Sequence, residues 1–194
     1  MDPFVRHQGP IAVVPDDDID TDRIIPARFL TRVSRFGYGE LLFADVRSED
    51  FPLDQPTAKG ATILVTGTNF GCGSSREHAV WALQQAGLRA IIARRDEDSP
   101  GYSDIFRQNS ANCGLLLIEL KALDHAALPK TQGTEIEIDL PAQTVNWSGG
   151  QASFDINPAT KAALVEGLDL IGTTLQYDAA IEAFETRPTF VPSA

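Results

Sequence analysis

Apolar and polar positions along the chain repeat with two different periods, and these predict the elements. Ile11–Val14 is a short apolar run read as a buried strand, and Ala61–Thr66 (ATILVT) is the strongest strand signal. Between them, Ile24–Leu30 is apolar with Pro26 at the first turn of a short helix, and residues 31–60 follow as an irregular excursion containing Pro52, Pro56 and Gly60. After Thr66 the spacing changes. Ala79, Ala82, Leu83 and Ala86 fall at i, i+3, i+4, i+7, which predicts a helix over 75–85, and Gly87 stands where a left-handed cap belongs. Ala90–Ala93 is the next strand, so 61–93 reads as a βαβ unit with parallel strands. A charged loop, Arg94–Gly101, leads to a short helix near Asp104–Ser110 and a strand near Leu115–Leu120. The second half alternates in twos: Glu135–Asp139 and Thr144–Trp147, with Gly149-Gly150 as a turn into Ala152–Phe154. Asn157-Pro158 opens a helix that ends at Gly167, and a last helix is expected near Asp178–Phe184. The sum is a mixed α/β domain.

Composition narrows the class. At 194 residues the chain fits one domain with a core of its own, and 43% hydrophobic residues with a mean hydropathy of −0.11 fit a soluble globule. No apolar run approaches the roughly 20 residues of a membrane span. Met1–Gly9 has no apolar core of a secretion signal. Two cysteines make no disulfide framework, so a reducing compartment, the cytoplasm, is expected. A net charge of −11 argues against nucleic acid and anionic membrane as partners, yet leaves room for a small anion in a local basic pocket.

Candidate chemistry concentrates in Gly67-Thr-Asn-Phe-Gly-Cys-Gly-Ser-Ser-Arg-Glu-His78, which leaves a strand and enters a helix. Free amide N–H groups and the positive helix end meet there, glycines allow close approach, and Arg76 adds a planar fork for a carboxylate. The segment is neither a dinucleotide fingerprint nor a P-loop nor a nucleophile elbow: Arg76 stands where the third glycine belongs, no lysine follows, and G-x-S-x-G is absent. The structural alternatives are a capping box, Ser74-x-x-Glu77, with Ser74 as N-cap, and a packed helix histidine at His78. The acidic loop Asp16–Asp22 fails as a calcium loop in both registers, because glycine and glutamate are missing at the required positions. It reads as a turn with aspartate caps, or as a carboxylate that orients a catalytic group. Some of the arginines that follow it, Arg23, Arg28, Arg32 and Arg35, are expected to pair with it. The chain's own residues lack the ligands for a zinc site or a cubane cluster, which needs at least three thiolates.

Three blocks carry a resemblance: Asp20-Thr-Asp-Arg-Ile-Ile-Pro-Ala-Arg-Phe29, Asn69-Phe-Gly-Cys-Gly-Ser-Ser-Arg-Glu-His-Ala79, and Asp104-Ile-Phe-Arg-Gln-Asn109 with Gly114-Leu-Leu, joined near the end by Gly167-Leu-Asp-Leu-Ile-Gly-Thr-Thr-Leu175. In order, over about residues 11–188, they resemble the small subunits of 3-isopropylmalate dehydratase, in the aconitase superfamily. The resemblance implies a single swivelling β/β/α domain over 1–194 with a mixed sheet. It implies a hydro-lyase of leucine biosynthesis that isomerises 2-isopropylmalate and 3-isopropylmalate through isopropylmaleate. Activity would need a large subunit carrying a [4Fe-4S] cluster, with no metal or cofactor held by this chain. It further implies Ser74 as the base, Arg76 as the carboxylate clamp and Asp22 as the active-site aspartate. Ser75, His78 and Gly73 would line the substrate site, with Arg28 and Arg32 as candidate substrate contacts. The chain departs from the family at Arg94–Gly101, which reads as an insertion, and at Tyr102-Ser103. A sister subunit for another 2-hydroxy diacid, of the homoaconitase or methylmalate type, and a non-catalytic carboxylate-binding module are the alternatives.

Overall fold

The computed structural model describes residues 1–186; Arg187 and Pro188, the last two residues of the expected core, lie outside it. The strands are β1 (Arg6–Val14), β2 (Ile63–Thr66), β3 (Ala90–Arg95), β4 (Leu116–Lys121), β5 (Glu135–Asp139), β6 (Thr144–Trp147) and β7 (Gly150–Ser153). The helices are α1 (Thr21–Ile24), α2 (Glu77–Gln85), α3 (Asp104–Cys113), α4 (Ala122–Ala127), α5 (Pro158–Glu166), α6 (Leu170–Leu175) and α7 (Asp178–Glu185). No helix among the described residues is long and apolar enough to cross a membrane.

The strands form one mixed sheet in the order β4-β3-β2-β1-β5-β6-β7. β1 joins its two halves. Through Ile11–Val14 it pairs parallel with β2, and through Arg6–Pro10 antiparallel with β5. β2, β3 and β4 continue in parallel, whereas β5, β6 and β7 form an antiparallel meander. The parallel strands read as continuous apolar runs because both of their faces are covered. Ala12, Val14, Leu64, Ile91 and Ala93 point into a core shared with Ala79 and Leu83 of α2. Ile11, Val13, Ile63, Val65 and Ile92 point the other way and meet Ile136, Ile138, Val145 and Ala152 of the meander. Helices, parallel strands and meander thus stack in the β/β/α order that the resemblance implies. The two sheet edges even line a common cleft, with Glu119 and Lys121 of β4 facing Gln151 and Ser153 of β7.

The excursion at 31–60 contains only short 3-10 turns, at Gly39–Leu41, Pro52–Asp54 and Pro56–Ala58. It is nevertheless part of the core, because Tyr38, Leu42, Phe43 and Phe51 are buried beside α2. Pro26 caps a further 3-10 turn, Ala27–Phe29. α3 is capped by Ser103, whose hydroxyl accepts from the Phe106 amide at 3.3 Å, and ends at Gly114 with φ +82°. α5 starts on Asn157, which accepts from the Ala159 and Thr160 amides, and ends at Gly167.

Candidate active site

β2 delivers the chain into the glycine loop, and the acidic loop 16–22 clamps that loop along its length. The Gly67 amide donates to the Asp16 carbonyl at 3.2 Å and the Thr68 amide to Asp17 Oδ1 at 2.7 Å. The Asn69 side chain donates to Asp18 Oδ1 at 2.7 Å, from a left-handed backbone (φ +55°) that asparagine tolerates. The Gly71 amide donates to the Ile19 carbonyl at 2.7 Å, and the Thr21 amide to the Cys72 carbonyl at 2.9 Å. Asp20 caps α1 by accepting from the Arg23 amide at 2.7 Å. Arg23 in turn pairs with Asp16. Most of the aspartate run is therefore architectural, as turn caps.

Gly71 and Gly73 carry the turn. Both have positive φ, +75° and +88°. A Cβ on Gly71 would sit 2.3 Å from Cγ of Phe106, so only glycine fits. The expected helix start at Ser75 needs correction: α2 begins at Glu77, with Arg76 as its N-cap and no side-chain cap. Ser74 is not the N-cap, and no capping box forms. The cause is a tether, since the buried Thr21 hydroxyl donates to the Ser74 carbonyl at 3.0 Å while Arg76 stays extended (φ −127°). Glu77 points elsewhere and accepts from Trp81 Nε1 at 3.3 Å, from Arg35 at 3.4 Å and from Cys113 Sγ at 3.4 Å.

Gly73, Ser74 and Ser75 are exposed ahead of the helix end, where unpaired amides collect. Beside them Arg76 Nη1 lies 2.5 Å from Asp22 Oδ1. The guanidinium side chain is only 13% exposed, whereas the carboxylate is 56% exposed. Nη1 is buried and, the ion pair apart, has no hydrogen bond of good geometry. The Arg76 guanidinium holds the Asp22 carboxyl below the usual carboxylate range, against a smaller opposing effect of burial. Cys72 stays a thiol, because burial and the charges of Asp20 and Asp18 raise its pKa.

His78 is half-buried, with its ring 5.3 Å from that of Tyr38 and 4.7 Å from that of Trp81. Arg28 pairs with Asp45 at the surface (Nη1 to Oδ2, 2.7 Å) and stacks on Phe29. Arg32 donates to the Gly37 carbonyl at 3.0 Å and closes its own exposed loop. Neither is brought against Ser74 or Arg76 by a hydrogen bond or ion pair. The segment read as an insertion runs along the outer side of the glycine loop. Its Pro100 and Gly101 carbonyls accept from the Asn69 and Phe70 amides at 2.8 and 2.9 Å, and Arg94 pairs with Asp17 at 3.0 Å and Asp96 at 3.1 Å. Two contributors escaped the sequence reading. Thr21 sits inside D-T-D between two carboxylates, with no motif of its own. Tyr38 is fully buried against His78, with its hydroxyl unpartnered, and lies in a segment without periodicity.

The family model described as the aconitase C-terminal domain matches residues 1–123, and a second, described as LeuD_N, matches 126–158. Curated relatives called 3-isopropylmalate dehydratase small subunit are similar over their whole length. That of Bacillus cereus is 43% identical over 96% of this chain and 98% of its own. That of Leuconostoc mesenteroides is 44% identical over 98% and 100%. The crystal structure of the 3-isopropylmalate dehydratase leuD of Methanocaldococcus jannaschii superposes with a TM-score of 0.69, covering 93% of this chain and 99% of its own at 27% identity. The chain with the clamped Gly-Cys-Gly-Ser-Ser-Arg turn belongs to the family of 3-isopropylmalate dehydratase small subunits.

Proposed function

We propose that this chain is the substrate-recognition half of a cytoplasmic, two-subunit hydro-lyase that interconverts 2-isopropylmalate and 3-isopropylmalate through isopropylmaleate in leucine biosynthesis. The observation that carries the reading is the tethered turn. It keeps Ser74 next to a nearly buried arginine and leaves one side open.

In this reading Arg76 and the free amides ahead of α2 receive one carboxylate of the diacid, with Ser75, Gly73 and His78 lining the same cup and Arg28 and Arg32 as candidate second contacts. Ser74 removes the proton from the carbon next to that carboxylate, the electron pair of the broken C–H bond forms the double bond, and the hydroxyl of the neighbouring carbon departs as hydroxide, which takes up a proton to become water; re-addition of water with the opposite regiochemistry, Ser74 returning its proton, completes the isomerisation. A serine hydroxyl is a weak base in water, so it depends on the adjacent guanidinium and helix end to favour its ionised form. Asp22 holds Arg76 in place until substrate arrives and keeps the guanidinium from collapsing onto the loop.

The open side is the reason for a partner. Gly73, Ser74 and Ser75 face solvent, and charge stabilisation is strong only where water is excluded. A large subunit supplies the missing wall. The thiols of this chain, Cys72 beside the turn and Cys113 against Glu77, do not fit a cubane cluster, and we assign the [4Fe-4S] cluster to the large subunit.

The test is reconstitution. The chain is mixed with the large subunit from the same source and supplied with 2-isopropylmalate, homocitrate or citramalate. Formation of the unsaturated diacid is followed by ultraviolet absorbance. The reading expects turnover of isopropylmalate well above the other two, and none by either subunit alone. Preference for another diacid assigns a sister hydro-lyase, and inactivity on all three with a carboxylate still bound assigns a binding module.

A further inference from the structure

We propose that α6 and α7 form an acidic arm with which this chain grips the large subunit, its apolar stripe seated in an apolar groove rimmed by basic residues on that partner. The proposal rests on the two-subunit reading above.

The chain's end divides at Gly167. Up to that point it is anchored: Leu164 is buried, the Phe4 amide donates to its carbonyl at 2.8 Å, and the N-terminal ammonium donates to the Gly167 carbonyl at 2.9 Å. Beyond it neither α6 nor α7 has a buried residue. Leu170, Ile171, Leu175 and Tyr177 are each more than 60% exposed and Ile181 is 39% exposed. Ile171 with Leu175, and Tyr177 with Ile181, are i, i+4 pairs, each on one helix face. A cleft of about 470 Å³ lies between Leu168 and Leu170 at the start of the arm and Gln108 and Ala111 of α3, and Gln176 Nε2 donates to Glu166 Oε2 at 2.9 Å, so the arm is tied back to the body at α5 while its apolar side chains stay exposed.

Helices of 6 and 8 residues are far below the roughly 12–15 at which an isolated helix becomes even marginal in water, so this arm needs a surface to hold it. Charge selects the occupant. From 162 to 186 the chain carries Glu166, Asp169, Asp178, Glu182 and Glu185 and no lysine or arginine. Two such arms facing each other would bring like charges together, which disfavours a second copy and calls for a basic rim. The relatives that match across the arm, over 96% and 98% of this chain, are themselves called small subunits.

The experiment uses the full chain with Leu175→Asp and Ile181→Asp, titrated against the large subunit from the same source, with turnover read at saturation. We expect binding at least 100-fold weaker than wild type, turnover at saturation within about twofold, and an unchanged thermal melt of the variant alone. Wild-type binding should weaken as salt rises. Equal affinity of variant and wild type overturns the arm and leaves the two-subunit reading standing. Failure of the wild-type chain to bind the large subunit overturns both. Wild type that sediments as a dimer while the variant is a monomer assigns the arm to a second copy and also overturns the proposal. Should the double variant fail to fold, Leu175→Ala with Ile181→Ala takes its place, with an expected loss of at least tenfold.

Discussion

The glycine loop at 67–76 and the C-terminal arm at 168–186 are opposite kinds of structure. The loop exposes Ser74 and Ser75 but is fixed in its backbone: Gly67, Thr68, Gly71 and the Ser74 carbonyl are each hydrogen-bonded to the acidic loop. The arm is regular in its backbone but leaves Ile171, Leu175 and Tyr177 largely uncovered among the described residues. A segment can therefore be irregular and rigid, or helical and incomplete. What matters is whether its polar backbone and apolar side chains find partners within the chain. The turn that presents Ser74 and Arg76 is finished by this sequence alone, whereas the arm awaits another surface.

That contrast can be broken in several places. Arg76→Ala in the assembled enzyme should lower kcat/KM for isopropylmalate about 1,000-fold, or ~4 kcal/mol, as loss of a charge donor at a developing anion does. The melt of the isolated chain should hardly move, since the Asp22 left behind is more than half exposed. Ser74→Ala should behave alike, and steady-state kinetics beside a thermal melt separate the two effects. Gly71→Ala attacks the backbone instead. With positive φ and Phe106 in the way it should cost about 3 kcal/mol or more in urea unfolding. Gly73→Ala, whose nearest neighbour would be 3.5 Å away, should cost only ~1 kcal/mol.

Acid should act on the body below the loop. His125 is buried with Nε2 unpartnered, and burial, then Lys130 and Arg94, hold its pKa down to about 4, against a hydrogen bond that the ring donates to the Thr66 backbone and the charge of Asp96. The folded state thus resists a proton that the unfolded chain accepts near pH 6.5, so stability present above pH 6.5 should fall by roughly 3 kcal/mol as pH drops to about 4. His125→Asn should flatten that slope in pH-dependent urea titrations. A smaller effect than that of His125 is expected at the tether. Thr21→Val should cost ~1–2 kcal/mol of stability and about tenfold in kcat with KM little changed, and Thr21→Ser should restore both.

Much of this architecture was legible in the amino-acid order, for physical reasons. Strands buried on both faces, such as Ile63–Thr66, have almost no polar positions to blur them. Asn157-Pro158 and Gly167 mark α5 because caps depend on single residue types. The first half of β1 was missed because Arg6, His7 and Gln8 pair with β5 while their side chains stay partly in water. α4 and α6, of 6 residues each, are too short to show a period. At the candidate site the reactive turn announced itself through its glycines, but the start of α2 did not. Ser74-x-x-Glu77 has the letters of a capping box, and only the Thr21 hydroxyl, 53 positions earlier, keeps it from forming one. Tertiary contacts of that kind leave no local signal.

Hydrogen exchange on the isolated chain, repeated after adding the large subunit, tests the central claim most directly. The account predicts that the Gly71 and Thr21 amides, bonded to the Ile19 and Cys72 carbonyls, are strongly protected in the chain alone and unchanged by the partner, while amides of 170–186 exchange fast alone and slow only in the complex. Gly71 and Thr21 amides that exchange as fast as the arm until the large subunit is added would contradict it.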